Sequence, residues 1–383
     1  MREFPIASIK PGNSSPKNGD PNSFPLVTVI MPVRNEEKFL SRCLDSLLEN
    51  DYPQERMEFL IADGMSNDSS REILTEYSRR FAFIRVLDNP GRIVPTGLNE
   101  AIRQAKGEII VRVDAHTVFA PDYIRQCVHL LQTTGASNVG GPQRSVGKDY
   151  QSEAIAVATT SRFAAGDAKF RFSENEAWVE TVYLGAWWKE TLVQLGGFNE
   201  EWVVNQDFEM NHRLRRAGGK ILLSPAIKCE YSVRPSLIAL AKQYFRYGFW
   251  KVKTIEAYPE SLRWRQLVAP GFVAASVASL ALAAWMWSPA LVLGLVYVLS
   301  NLFASAVCAW KRGWHCLPIL PLTFAIIHFS WGFGFWSGLF RFGVPRFSPT
   351  VLAKALRPIQ HASSPPGEER GKSFRYAHAL SNR

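Results

Sequence analysis

Acidic residues close two of the most apolar runs in the first half of the 383-residue chain: Asp63 ends FLIAD and Asp114 ends EIIVRVD. His116 follows Asp114 after a single alanine. A carboxylate and an imidazole two residues apart, at the end of an extended segment, can turn both donors toward one divalent cation. Such an ion, Mg²⁺ or Mn²⁺, would neutralise a diphosphate. The chain has neither a Walker A loop nor a GxGxxG after its first strand, the common backbone cradles for phosphate, so a metal bridge would have to carry that charge. The same Asp-Ala-His also suits a plain strand-ending turn, and Asp63 a turn cap. A third carboxylate, Asp207, opens the segment 207–217, where a helix N-terminus would favour its ionised form. It also suits a simple N-cap. In that segment Phe208, Leu214 and Ala217 are expected inward, and Arg213, Arg215 and Arg216 outward.

These residues need a scaffold that brings loop ends together. Between residues 25 and about 230, short β-branched runs alternate with helical periodicity, the pattern of an α/β domain with a mostly parallel sheet. Leu26 to Met31 reads as a buried strand ended by Pro32. Phe39, Leu40, Cys43, Leu44, Leu47 and Leu48 then make one helical face. Phe59 to Ala62 is a second strand, and Ser69 with Glu72 offers a capping box for the next helix. Ile84 to Leu87 is a third strand, and a helix over about 95–105 precedes a fourth at Glu108 to Val113. Asp63 and Asp114 then sit past the carboxyl ends of two strands, where open α/β sheets form their ligand crevice.

The rest of the chain is of another kind. From Gln266 to Phe340 the only charged residues are Lys311 and Arg312, and six of the twelve tryptophans lie there. Leu267–Trp287 and Pro289–Trp310 are each free of charge and long enough to cross a hydrocarbon core, with Trp285, Trp287 and Ser288-Pro289 at the far interface. A third stretch, Leu317–Phe340, is interrupted by Pro318, Pro321, Gly332, Gly334 and Gly338. It is expected to be re-entrant or interfacial, which keeps the C-terminal tail with Lys311 and Arg312 on the cytoplasmic side. The net charge of +10 is concentrated in that tail, where residues 341–383 carry eight Lys/Arg against two Glu. A basic tail beside an apolar region points to anionic lipid rather than nucleic acid. Five cysteines show no CxxC pair and no zinc-ligand spacing. Residues 1–24 have no apolar signal-peptide core, so they read as a disordered lead into a cytoplasmic domain. The expected organisation is a soluble domain over 25–240, an interfacial helix region over 241–266, a membrane region over 267–340 and the tail.

Five segments then carry a family resemblance: VTVIMPVRNEEKFLSRCLDSLL (27–48), FLIADGMSNDSS (59–70), NPGRIVPTGLNEAI (89–102), GEIIVRVDAH (107–116) and GAWWKETLVQLGGFNEEWVVNQDFEMNHRLRRAG (185–218). In order and spacing they resemble the family 2 glycosyltransferases, and within them the membrane-anchored succinoglycan-biosynthesis glucosyltransferase group. The resemblance implies a GT-A fold and inverting transfer of a sugar, glucose in the expected form, from a nucleotide-diphosphate donor such as UDP-glucose. It implies a lipid-linked saccharide acceptor and a multi-pass inner-membrane enzyme with its catalytic domain in the cytoplasm. Residues Pro32, Arg34, Asn35 and Glu36, together with Asp63, take the positions that hold the nucleoside, and Arg92 is expected to reach the same nucleotide. Asp114 and His116 take the metal-binding DxD position, and Asp207 takes the base position. Gln243-Tyr-Phe-Arg246-Tyr247 resembles the QxxRW element, with Arg246 directed at the leaving diphosphate. Histidine in place of the second metal-site Asp suits Mn²⁺ better than Mg²⁺. Trp187, Trp188 and Trp202 are candidates for stacking on acceptor sugars. A polyprenyl-phosphate glycosyltransferase, or an inactive membrane scaffold that binds nucleotide sugars, would use the same elements.

Overall fold

A computed structural model describes residues 24–346, so nearly all of the N-terminal lead and of the basic tail lies outside the described residues. Strand β1 (Val27–Val33) lies between β2 (Met57–Asp63) and β4 (Ile109–Arg112), with β3 (Ile84–Asp88) outside β2, and all four run parallel. Helices α1 (Leu40–Leu48), α2 (Ser70–Arg80) and α3 (Val94–Gln104) connect them in turn. Both faces of this half-sheet are covered. Leu40, Leu44 and Leu47 pack with Phe59 and Ile61 on one side, and Leu98 and Ile102 pack with Ile30 and Leu60 on the other. That double burial is why these strands read as continuous apolar runs.

The chain continues through β5 (Thr117–Phe119), α4 (Tyr123–Thr134), β6 (Asn138–Gly141), β7 (Arg144–Val146), α5 (Tyr150–Thr159) and α6 (Arg162–Ala165). Then come β8 (Ala177–Trp178), β9 (Tyr183–Trp188), α7 (Lys189–Gln194), α8 (Gln206–Arg216), β10 (Ile221–Leu223) and β11 (Cys229–Ser232). The main sheet has the order β3-β2-β1-β4-β9-β6-β10-β8, and β5-β11-β7 form a small second sheet. Strand β9 runs antiparallel between β4 and β6, which makes the sheet mixed beyond β4.

Several local expectations are corrected. Strand β1 runs through Pro32 to Val33. Its pairing with β4 stops at Ile30↔Arg112, so a proline without an N–H breaks no ladder bond on that side. Ser69 precedes α2 but its side chain does not cap it. Instead Asp68 Oδ1 accepts from Ser70 N (3.0 Å), and Glu37 Oε2 accepts from Ser69 N (3.1 Å). Trp187 and Trp202 are buried and Trp188 packs against the core, so these tryptophans serve packing. Arg213 is buried rather than outward, with Nε donating to Glu209 Oε1 at 2.7 Å.

Four long helices end the described chain: α9 (Leu237–Ala257), α10 (Arg265–Leu282), α11 (Ser288–Arg312) and α12 (Leu320–Phe342). By length and apolarity α10 and α11 are each able to cross a membrane. Trp285 and Trp287 are strongly exposed in the turn between them. The third apolar stretch is one unbroken helix. Its prolines fall at or before the first turn, where a missing N–H costs nothing, and its glycines form a packing seam. A Cβ on Gly334 would meet the Phe245 carbonyl oxygen at 2.1 Å, and one on Gly248 would meet that of Trp331 at 2.2 Å. Helices α9 and α12 thus touch backbone to backbone, the close approach that small residues permit. Pro270 in α10 cannot donate to the Gln266 carbonyl, and Trp331 Nε1 donates there instead (3.4 Å). At the base of α10, Glu180 accepts from Arg263 Nε (3.1 Å) and also bonds Arg265. Burial opposes the charge of Glu180, yet the guanidiniums of Arg265 and Arg263 hold its pKa down at about 2.

Candidate active site

A cavity of about 940 Å³ opens beside the carboxyl end of β4. Asp114, His116, Asp207, Gln243 and Arg246 all line it, so residues from positions 114 to 246 converge on one space. Strand β4 positions the first of them. Arg112 is buried at its end, and its Nε and Nη2 donate to Asp114 Oδ1 (3.2 and 3.1 Å), with Nη2 also 3.3 Å from Oδ2. Burial works against the charge of Arg112, but the carboxylates of Asp114 and Asp207 outweigh it and raise its pKa. Its Nη1 is buried without a partner among the described residues.

His116 is held from two sides. Its Nδ1 lies 3.3 Å from Glu36 Oε1, and its ring packs edge-on to Tyr231 at 5.3 Å. By donor type Asp114 and His116 suit a cation of borderline hardness, and Arg112 occupies only part of the lone-pair capacity of Asp114, whose side chain is 18% exposed. Two protein donors do not complete a coordination shell, so the remaining ligands would come from phosphate oxygens and water, as at many Mg²⁺ sites. The one group of three donor side chains that could share an ion among the described residues, Glu153, His315 and Cys316, lines no part of this cavity.

Asp207 lies in the first turn of α8, whose N-cap is Asn205 in the left-handed region (φ 64°). The simple N-cap reading of Asp207 therefore does not hold. Among the described residues its carboxylate accepts only from the following Phe208 N (2.8 Å). On α9, Gln243 Nε2 donates to the hydroxyls of Tyr231 (3.3 Å) and Tyr247 (3.0 Å), which gives Tyr247 a polar partner in the element that resembles QxxRW.

The residues expected at the nucleoside gather on the neighbouring strand ends, outside the lining of this cavity. Pro32 pairs with Ala62 in the sheet. Arg34 Nη1 donates to the Arg92 carbonyl (3.1 Å). Asn35 and Arg92 both hold left-handed backbone, with φ of 58° and 59°, a conformation that ordinary side chains seldom adopt. Asn35 Oδ1 accepts from Asn67 N (3.0 Å), and Glu36 N donates to Ser70 Oγ (2.8 Å). Asp63 is 2% exposed. Its Oδ1 accepts from Ser66 N and Oγ (3.2 and 2.6 Å), and its Oδ2 from Arg71 Nη1 (3.2 Å). Glu36 links this cluster to the cavity through His116.

Sequence reasoning missed four residues of the site. Arg112 was legible as a charge inside an apolar strand two positions before Asp114. Arg171 and Tyr231 reach the cavity only through the tertiary fold. Lys251 is buried on α9 and lies 3.6 Å over the Phe208 ring. Burial, with help from Arg265, Arg263 and Arg215 and against Glu180, lowers its pKa to about 7.

Known proteins match along most of the chain. A family model described as glycosyl transferase family 2 matches residues 28–175, and one described as glycosyl transferase family group 2 matches residues 109–337. The succinoglycan biosynthesis protein ExoA of Rhizobium meliloti is 27% identical over 323 residues, covering 82% of this chain and 95% of its own. A dolichyl N-acetyl-alpha-D-glucosaminyl phosphate 3-beta-D-2,3-diacetamido-2,3-dideoxy-beta-D-glucuronosyltransferase of Methanococcus voltae is 26% identical over 329 residues, covering 82% and 97%. In fold, the mannosyltransferase PcManGT of Pyrobaculum calidifontis, solved in complex with GDP-Man and Mn²⁺, superposes with a TM-score of 0.54 at 22% identity over 81% of this chain and 88% of its own.

Proposed function

This chain belongs to glycosyltransferase family 2 and acts in glycan biosynthesis, and from that premise we propose that it transfers one sugar, with inversion, from a nucleotide-diphosphate donor to a lipid-linked saccharide. Glucose from UDP-glucose is the proposed donor group, and an exopolysaccharide or cell-surface glycan the proposed product. One observation carries this reading. The cavity that gathers Asp114, His116, Asp207 and Arg246 continues to side chains of α10, α11 and α12 such as Phe272, Val296 and Ile327.

In the proposed reaction the acceptor hydroxyl attacks the anomeric carbon from the face opposite the diphosphate. A C–O bond forms there as the bond to the leaving phosphate oxygen breaks. Asp207 takes the hydroxyl proton on its carboxylate, within reach of a substrate held against α8. Arg246 donates to the departing diphosphate, where a guanidinium can engage two oxygens at once. Glu36 and Tyr231 fix the His116 ring, and Arg112 fixes Asp114. A Mn²⁺ or Mg²⁺ held through Asp114 and His116 would supply positive charge for the leaving group. Asp63, Arg34, Asn35 and Arg92 form the proposed nucleoside side of the site.

Membrane attachment belongs to the same proposal. The outer faces of α10 and α11 expose Val277, Leu280, Leu295, Leu299 and Phe303, each more than half accessible, an apolar surface that water would not tolerate. Two spans return Lys311 and Arg312 to the cytoplasmic side, in keeping with the positive-inside rule, at the inner membrane. Membranes containing the chain, incubated with a panel of radiolabelled nucleotide sugars, are expected to transfer label to a solvent-extractable lipid from one donor. Label found only as free sugar would refute the reading.

A further inference from the structure

The cavity holds more positive charge than one donor needs. Arg162, Arg171, Arg234, Lys242 and Arg246 all line it, and none has an ion-pair partner among the described residues. Arg162 and Arg171 lie instead over the rings of Phe172 and Phe170, at 5.3 and 5.2 Å. Against them stand only two lining carboxylates, Asp114 and Asp207, and Asp114 is already paired with Arg112. A departing nucleoside diphosphate carries about three negative charges, which one divalent ion together with Arg246 would meet. Four cations remain.

Their placement says which anion they suit. Arg234 stands just before α9, whose N-cap Ser236 accepts from Ala239 N (3.2 Å), and Lys242 lies in the second turn of that helix. Ala239 lines the cavity, so the positive end of a 21-residue helix adds to these side chains. Arg162 is followed by Phe163, which packs on Phe324 and His328 of α12. Beyond the cations the wall becomes apolar, with Val268, Phe272, Leu293, Val296, Ile327 and Trp331 from three different helices. Val268 and Val296 are each 56% exposed, so this end is open on the side where α10 and α11 present their apolar faces.

We infer that Arg171, Arg234 and Lys242, with Arg162 at the rim, form a second anion site that takes the phosphate or diphosphate of the acceptor lipid, whose hydrocarbon chain leaves between α10 and α11. This inference rests on the transfer reading for the acceptor's role, and it excludes a neutral glycolipid as acceptor. The ligand chemistry is a phosphate-bearing long-chain lipid.

Binding to the full-length chain in detergent micelles, measured without donor, tests it. The probes are geranylgeranyl diphosphate, geranylgeraniol, inorganic diphosphate and UDP. Geranylgeranyl diphosphate should bind at least about tenfold more tightly than either geranylgeraniol or inorganic diphosphate, because charge-assisted contacts and apolar burial each contribute. The double variant Arg234→Gln/Lys242→Gln, at two exposed positions whose change leaves the fold intact, should lose about tenfold in that affinity and keep its UDP affinity. Arg171→Gln should act in the same direction. Equal binding of geranylgeraniol would overturn the anion site. Inorganic diphosphate binding as tightly as the lipid would make it a free-anion site, and loss of UDP affinity in the double variant would assign these cations to the donor. If the lipid binds as expected while no sugar donor supports transfer, the proposed function fails and the anion site stands.

Discussion

Replacing Asp207 by asparagine separates its chemical role from its structural one. The amide keeps the size of the side chain and an oxygen that can accept from Phe208 N, the one hydrogen bond the carboxylate makes in α8. The N-cap belongs to Asn205, so helix capping is untouched. The structural cost should therefore stay within about 0.5 kcal/mol, as for substitutions that remove no buried contact. What vanishes is basicity, and general-base catalysis contributes a factor of about 10² to 10⁴, or roughly 3 to 5.5 kcal/mol in the barrier. The two other nearby carboxylates are poor substitutes. Glu209 is fully buried between Arg213 and the Tyr258 hydroxyl, and Glu201 lies outside the cavity lining. The assay is kcat for sugar transfer beside UDP affinity and thermal midpoint. The expected result is kcat lowered by at least about a hundredfold, with affinity and midpoint unchanged. Near-normal kcat would refute the assignment, and joint loss of all three would show a folding defect instead.

Three further outcomes follow from the same geometry. Chelation should abolish transfer, and Asp114→Ala should weaken Mn²⁺ binding, read by electron paramagnetic resonance, because the ion would keep only His116 as a protein donor; activity in excess EDTA would refute the metal bridge. Lys251 has its pKa lowered by burial from 10.5 to about 7, so between those values the unfolded chain binds a proton that the folded chain does not, and stability rises with pH across that window. The thermal midpoint should therefore climb from pH 7 to pH 9 in the wild type and climb less in Lys251→Met, whereas parallel profiles would contradict the burial argument. Gly334→Ala should force α12 away from the Phe245 carbonyl, an overpacking cost of about 1–3 kcal/mol, lowering the midpoint and activity together; an unchanged midpoint would refute the close seam.

The half-sheet was legible because its strands are buried on both faces, and continuous apolar runs such as VTVIM leave little ambiguity. The carboxyl-end placement of Asp63 and Asp114 followed from strand direction alone. Ser69 misled because the real partners of α2, Asp68 and Glu37, include a residue 32 positions away from the N–H it satisfies. Arg213 misled for a related reason, since its outward expectation ignored a buried carboxylate one turn back on the same helix. The glycines of Leu317–Phe340 look like breaks in one dimension and become contacts only when α9 and α10 lie against them. Arg171 and Arg234 carry no periodic or motif signal at all, and only the folded cavity makes them neighbours.

The glycine seam also decides how the α9 residues of the site can move. Helices held apart by side chains can slip past one another as rotamers change, but backbones in direct contact have no such slack. Helices α9 and α12 must therefore move as one rod, and Gln243, Arg246 and Lys251 on α9 keep a fixed distance from α12. On the proposed reading Arg246 on that rod and Asp207 on α8 face the same cavity, so any shift of the rod would change the span between the departing diphosphate and the base.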